Sequence, residues 1–198
     1  MFYYFFIGNP IPGPPTPNAV FRMPLPEVRA RDETFQTLVD SYFIETTDVA
    51  CQNNNCNGRI RYTNAILDPK SAIVFYLDRT RFNRNWANAP RGQSGAYATV
   101  KDNRKVTLQD VIYIPKVGGG NCLYRLVALV EHKGEHGKGG HYVSHLKFNR
   151  EWYLANDDLP MQRSDECRDF DVERSCIFIY TTYDPQNPYN NAAGLPAV

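Results

Sequence analysis

The sequence predicts an α+β domain built around an antiparallel sheet. Three observations carry this. Only one stretch, residues 32–45, repeats apolar residues at helical spacing. Most of the remainder is a succession of short apolar runs, at hairpin-scale spacing, separated by Gly, Pro and Asn. Aromatic residues make up 13% of the chain, including 13 tyrosines, and such side chains favour strands. At 198 residues the chain can bury one sizeable core and is too short for two full domains. No internal repeat is visible.

The opening Met1–Ile7 is apolar but lacks a basic n-region and runs into Gly8-Asn9-Pro10. It reads as a strand inside the fold rather than a secretory signal. Prolines 10, 12, 14, 15 and 17 argue against regular structure from Gly8 to Asn18. Val20, Phe21, Met23, Leu25 and Val28 form an extended run broken by Pro24 and Pro26, an edge strand at most. Asp32–Glu45 is the helix: Phe35, Leu38, Val39, Tyr42 and Phe43 lie on one face, with Asp32 as N-cap and Glu33 in the first turn.

Arg59–Ile66 and Ala72–Leu77 read as strands. Residues 78–104 form a long polar excursion for a compact domain, of the kind that is commonly functional or mobile. Lys105–Leu108 and Val111–Pro115 are two short strands, and Gly118-Gly119-Gly120 is a flexible break. Tyr124–Val130 is an apolar strand followed by a loop, Glu131–Gly140, rich in glycine and histidine. Tyr142–Phe148, the run ending at Trp152–Asp158, and Ser175–Tyr180 complete the sheet. Asp184–Val198 reads as a poorly ordered tail, and 1–31 as a Pro-rich N-terminal segment ahead of the folded unit at 32–183.

Lysine and arginine (22) nearly balance aspartate and glutamate (21), so bulk charge suggests neither a nucleic-acid nor an anionic-membrane partner. No apolar run approaches the ~20 residues that span a bilayer. Five cysteines, an odd number, argue against a disulfide scaffold and for a reducing compartment, cytoplasmic or nuclear. Cys51 and Cys56 form one close pair with no second pair to complete a structural zinc site, so no metal or other cofactor is expected. His132, His136, His141 and His145 share their segment with four glycines, which oppose the helical face a zinc motif needs.

His141 has the best context for a general base. It opens a strand behind Gly139 and Gly140, whose missing side chains let a substrate backbone approach, and Tyr142 follows it. Asn156 and Asp157 end the next strand and are placed to fix the far ring nitrogen. A satisfied histidine in a hairpin is the plainer alternative.

Residues 32–183 resemble the later half of a ubiquitin-specific protease catalytic domain. The helix Glu33–Phe43 is similar to the segment preceding the family's second cysteine pair, where Cys51 and Cys56 fall. Ile73–Phe82 is similar to its Leu-Lys-Arg-Phe-like strand. Tyr124–Gly134 with Gly140-His141-Tyr142 resembles its histidine box, Trp152–Asp157 its Trp-Tyr-x-Phe-Asp/Asn-Asp box, and Ser175–Tyr180 its closing strand. The resemblance implies the papain-like cysteine-protease superfamily and a C-terminal catalytic subdomain over 32–183. It implies His141 as base, Asn156 as orienter and Asp157 in a supporting role near the oxyanion. Gly139, Gly140 and Tyr142 would contact substrate, and residues 83–104 would form the other loop over the channel for ubiquitin's C-terminal tail.

The departures are equally specific. The family's Gly-x-x-Asn-x-Gly-Asn-x-Cys-x-x-Asn box does not occur in the sequence, so no nucleophile is assignable. Cys51 and Cys56 are spaced more widely than the family's pair, and Ala155 replaces an aromatic. The expectation is a fragment or split half of a thiol-dependent deubiquitinase, inactive alone, that binds ubiquitin or a ubiquitin-like protein. A partner chain could supply the cysteine half. The alternative is a pseudo-enzyme of the same fold that binds ubiquitin or another protein.

Overall fold

The computed structural model describes residues 2–5, 10–12, 20–26, 33–44, 49–50, 58–82, 99–134, 139–164 and 171–186. Sixteen strands and one helix lie in these segments. Strands β1 (Phe2–Phe5), β2 (Pro10–Pro12) and β3 (Val20–Pro24) precede helix α1 (Phe35–Ile44). Next come β4 (Val49–Ala50), β5 (Arg59–Asn64), β6 (Ala72–Asp78), β7 (Thr80–Phe82), β8 (Thr99–Lys101), β9 (Val106–Thr107) and β10 (Val111–Pro115). The last group is β11 (Asn121–Lys133), β12 (His141–Phe148), β13 (Glu151–Ala155), β14 (Gln162–Arg163), β15 (Asp171–Val172) and β16 (Ser175–Thr182).

The expected α+β class is what the chain forms. The main sheet has eight strands in the order β14-β13-β12-β11-β16-β6-β3, with β10 also paired to β11. Its pairings are antiparallel except for β3 on β6, which is parallel. A smaller sheet runs β2-β1-β5-β4. Strand β2 corrects the expectation of no regular structure around Pro10 and Pro12. It lies at the edge of its sheet, where a missing N–H leaves no ladder bond unmade.

Helix α1 buries Phe35, Leu38, Val39 and Phe43, the predicted face, with Tyr42 partly buried beside them. Phe35 meets the core face of the sheet at Phe178 (4.6 Å between ring centroids), Phe75 (5.5 Å) and Tyr180 (5.5 Å). Asp32 lies outside the described residues, and the cap is Thr34. Its Oγ1 accepts from the Thr37 N–H at 3.1 Å, while the Thr34 N–H donates to Thr37 Oγ1 at 3.1 Å. Glu33 is therefore not in the first turn. It precedes the cap, is buried, and pairs with Arg104 at 3.2 Å. Gln36 ties the helix to the free edge of β10: its amide donates to Tyr113 O at 2.9 Å and accepts from Tyr113 N at 2.8 Å.

The polar excursion after β6 is closed at its root by a ladder that the sequence did not suggest. β7 pairs with β8 through Thr80↔Lys101, Arg81↔Val100 and Phe82↔Thr99. The residues between them, and Cys51 and Cys56, lie outside the described segments.

Strand β11 is the spine of the main sheet. On one edge it pairs first with β10, over Asn121–Arg125, and then with β12, over Ala128–Lys133. On the other edge it pairs with β16, with register shifts at Leu126/Ala128 and Val130/Glu131. The first shift rephases the strand: Tyr124 and Leu126 face the core before it, and Leu129 after it. The strand also runs farther than expected. Glu131, His132 and Lys133 belong to it, where the sequence suggested loop.

Candidate active site

The site lies where β11, β12 and β13 end. Strand β12 begins at His141, which is paired with Lys133, the last residue of β11. A two-residue turn, Asn149-Arg150, joins β12 to β13. Both residues have positive φ (47° and 69°), the geometry of a type I′ hairpin. That turn sets Phe148 opposite Glu151 and, four pairs on, Ser144 opposite Ala155. Asn156 follows directly and is thereby carried alongside His141.

The contact made is short: His141 Nε2 lies 2.5 Å from Asn156 Oδ1. With the amide oxygen as acceptor, Nε2 is the donor in this contact, which leaves Nδ1 as the ring nitrogen turned away from Asn156. Asp157 Oδ2 lies 3.8 Å from the same ring nitrogen, beyond hydrogen-bond reach. The two side chains are 44% and 73% exposed, so water screens the interaction between them. Asp157 has φ +47° inside the turn closed by Leu159 N–H on Asn156 O at 3.1 Å.

The two glycines differ. A Cβ on Gly139 would meet nothing within 4 Å. One on Gly140, where φ is +149°, would lie 2.4 Å from His132 Nε2 and 2.8 Å from Lys133 O. His132 therefore does not belong to the loop the sequence suggested. It is buried, its ring fills the space that Gly140 leaves, and it packs on the Tyr142 ring at 4.6 Å. Burial pushes the His132 imidazole below its ordinary value. The charge of Lys101 adds to this and a backbone hydrogen bond with Gly139 opposes it. Tyr142 is 58% exposed and, by strand alternation, lies on the opposite sheet face from His141.

On the His141 face, residues paired across β11 and β12 share orientation. This groups His141 with Lys133, Val143 with Glu131, and His145 with Leu129. His145 is buried, and its Nε2 lies 3.3 Å from Glu131 Oε2. That hydrogen bond holds the Glu131 carboxyl below its ordinary value against the opposing effect of burial, helped by Lys133. This carboxylate–imidazole pair behind the site, its imidazole buried and its carboxylate partly so, was not anticipated. Strand pairing alone could have found it, once Glu131 was placed in β11.

Two described cysteines are free, Cys122 and Cys176. Burial raises both thiols above their ordinary value. Cys122 lies at the other end of β11 from Lys133, roughly 35 Å away at about 3.3 Å per residue. The Cys176 thiol points at the Val130 carbonyl, 3.6 Å from Sγ to O. Neither has the depressed pKa of a catalytic thiol. No cluster of three or more potential metal ligands occurs among the described residues. No helix there is long and apolar enough to cross a membrane.

Comparisons with known proteins converge. A family model described as "Ubiquitin carboxyl-terminal hydrolase" matches residues 28–180. A SAGA DUB module of Ubp8, Sgf11, Sus1 and Sgf73 bound to monoubiquitin contains a chain similar over 92% of this one, with TM-score 0.67 and 16% identity, 40% of that chain being covered. The same module bound to ubiquitin aldehyde gives 83% coverage, TM-score 0.61 and 16% identity, over 36% of that chain. A yeast SAGA module gives 83%, 0.61 and 15%, over 35% of that chain. This chain thus spans well under half the length of these solved chains. No curated protein sequence matches it.

Proposed function

The chain belongs to the ubiquitin carboxyl-terminal hydrolase family, and from that premise we propose that it is the part of a thiol-dependent deubiquitinase that holds the general base and its orienter. Its fold is the papain-like α+β fold of that family. The observation that carries the proposal is the 2.5 Å contact between His141 Nε2 and Asn156 Oδ1 at a half-exposed strand end. A histidine bonded in this way has its second nitrogen, Nδ1, available as a base.

His141 Nδ1 takes the proton from a cysteine thiol, and the thiolate attacks the carbonyl of ubiquitin's C-terminal glycine. The imidazolium then protonates the leaving lysine amine, and water releases the acyl group by the reverse sequence. Asn156 fixes the tautomer and ring orientation throughout. Asp157 takes the supporting role near the oxyanion. Gly139, open to solvent, lets the substrate's glycine backbone approach, with Gly140 and Tyr142 shaping the same strand end. The nucleophile and its oxyanion donors come from a cysteine-box segment outside these 198 residues. Residues 32–183 act as the catalytic subdomain, in the cytoplasm or nucleus, with strands β1 and β3 of the 1–31 segment built into its sheets and 184–198 as a flanking segment. Among the similar structures, the SAGA modules are described as bound to monoubiquitin or ubiquitin aldehyde, which supports ubiquitin as the partner here.

Titrating the isotope-labelled chain with ubiquitin tests the proposal. Signals of residues 131–134, 139–142 and 99–104 should shift in a saturable manner. Ubiquitin in excess that leaves all of them unmoved would count against it.

A further inference from the structure

Strand β16 begins at Ser175, which is paired with Glu131, so its ladder stops before β11 does. The last contact along that edge is the His132 N–H on Arg174 O, 3.1 Å. In a strand, N–H and C=O of one residue point to the same edge, and alternate residues repeat that direction. The carbonyls of His132 and Gly134 therefore project past the end of β16, with no strand among the described residues to receive them. Lys101, at the end of β8, meets both. Its Nζ donates to His132 O and, at 3.1 Å, to Gly134 O. The ammonium replaces the missing strand with charge-assisted hydrogen bonds. Its burial lowers the Lys101 pKa, in keeping with a cation drawn into protein rather than left in water.

What Lys101 holds leads directly to His141. Lys133, between the two carbonyls, is the strand partner of His141. The His132 ring fills the space above Gly140 and packs on Tyr142, the two chain neighbours of His141. Lys101 also closes the β7–β8 ladder, through its pairing with Thr80. It thus joins the root of the 83–98 excursion to the root of the histidine loop.

We propose that Lys101 is a positioning residue for His141, its ammonium keeping the end of β11 in strand geometry so that the imidazole meets Asn156. The assignment rests on His141 being the base of the site and concerns how that base is held.

NMR of the labelled chain tests it in two ways. In the unmodified chain, the Lys101 ammonium protons should exchange with solvent at least about ten-fold more slowly than those of exposed Lys116. Equal rates would overturn the proposal, and this measurement needs no substitution. In Lys101→Met, ring-nitrogen spectra should show His141 passing from one Nε2-protonated tautomer to a mixture. The amides of His132, Gly134 and His141 should exchange at least about ten-fold faster, while those of Asn121–Arg125 stay within about two-fold and the His145 ring signals do not move. Lys101→Arg should restore the single tautomer. A folded Lys101→Met with unchanged His141, a loss that extends equally to His145, or a Lys101→Arg that behaves like Lys101→Met would each overturn it. None of these readings involves ubiquitin, so failure of the deubiquitinase proposal and failure of this one are seen separately.

Discussion

Gly140→Ala is the sharpest local perturbation of the site. Gly140 has φ +149°, in a region only glycine populates comfortably. The added methyl would lie 2.4 Å from His132 Nε2, 3.0 Å from His132 Cε1 and 2.8 Å from Lys133 O. The backbone cannot relax without disturbing the Lys133–His141 pair, and the His132 ring is wedged against Tyr142. Backbone strain and overpacking each cost roughly 1–3 kcal/mol, so the substitution should destabilise by about 2–6 kcal/mol. At about 2–4 °C per kcal/mol for a chain of this size, the melting temperature should fall by at least about 4 °C. Urea and thermal unfolding, read by circular dichroism, measure this against Gly139→Ala, whose methyl meets nothing. That control should stay within about 0.5 kcal/mol. Adding His132→Ala to Gly140→Ala should recover the steric part, giving a coupling energy of roughly 1–3 kcal/mol. Equal stability of the two glycine variants, or no coupling to His132, would refute the reasoning.

Further outcomes follow from the same geometry. Thr34→Ala removes the α1 cap and should cost about 1 kcal/mol, seen as a lower urea midpoint; an unchanged midpoint would mean another residue caps the helix. Arg150→Gly relieves a long side chain from positive φ in the type I′ turn and should stabilise by roughly 0.5–1 kcal/mol, read as a higher urea midpoint. Glu131 has a depressed folded pKa. Its contribution to stability is therefore fully present above its unfolded value, about 4.3, and lost as pH falls through the lower folded value. Glu131→Gln should flatten stability against pH in that acidic window, seen as urea midpoints that fall less as the pH drops through it. Cys122 and Cys176, raised by burial, should alkylate more slowly at neutral pH than a free cysteine, as peptide mapping would show.

The elements that declared themselves in the sequence are those whose side chains follow one period. The α1 face, β6 and β16 were legible because apolar residues recur at 3.6 or 2 positions on a single buried side. The end of β11 was not, because Glu131, His132 and Lys133 are polar and the strand changes phase at a bulge that composition does not mark. Strand β2 was hidden by prolines that only an edge position tolerates. Asp32 and Thr34 are both capping residues, and only the reciprocal bonds with Thr37 distinguish them. Within the site, His141 and Asn156 could be paired on paper because one short hairpin separates them. Lys101 could not: its acceptors are backbone carbonyls 31 and 33 residues away, and backbone groups carry no sequence signature. His145 and Glu131 were likewise separated by a loop whose entry point was misplaced.

The central claim is that His141 serves a cysteine supplied from outside these residues. Hydrolysis of a fluorogenic ubiquitin C-terminal amide tests it most directly, with the chain alone and mixed with a cysteine-box segment of the family. The expected result is no turnover by the chain alone and turnover by the mixture that falls by roughly 10²–10⁴ in His141→Ala, the range for loss of a general base. Turnover by the chain alone, or turnover by the mixture that is indifferent to His141, would contradict it.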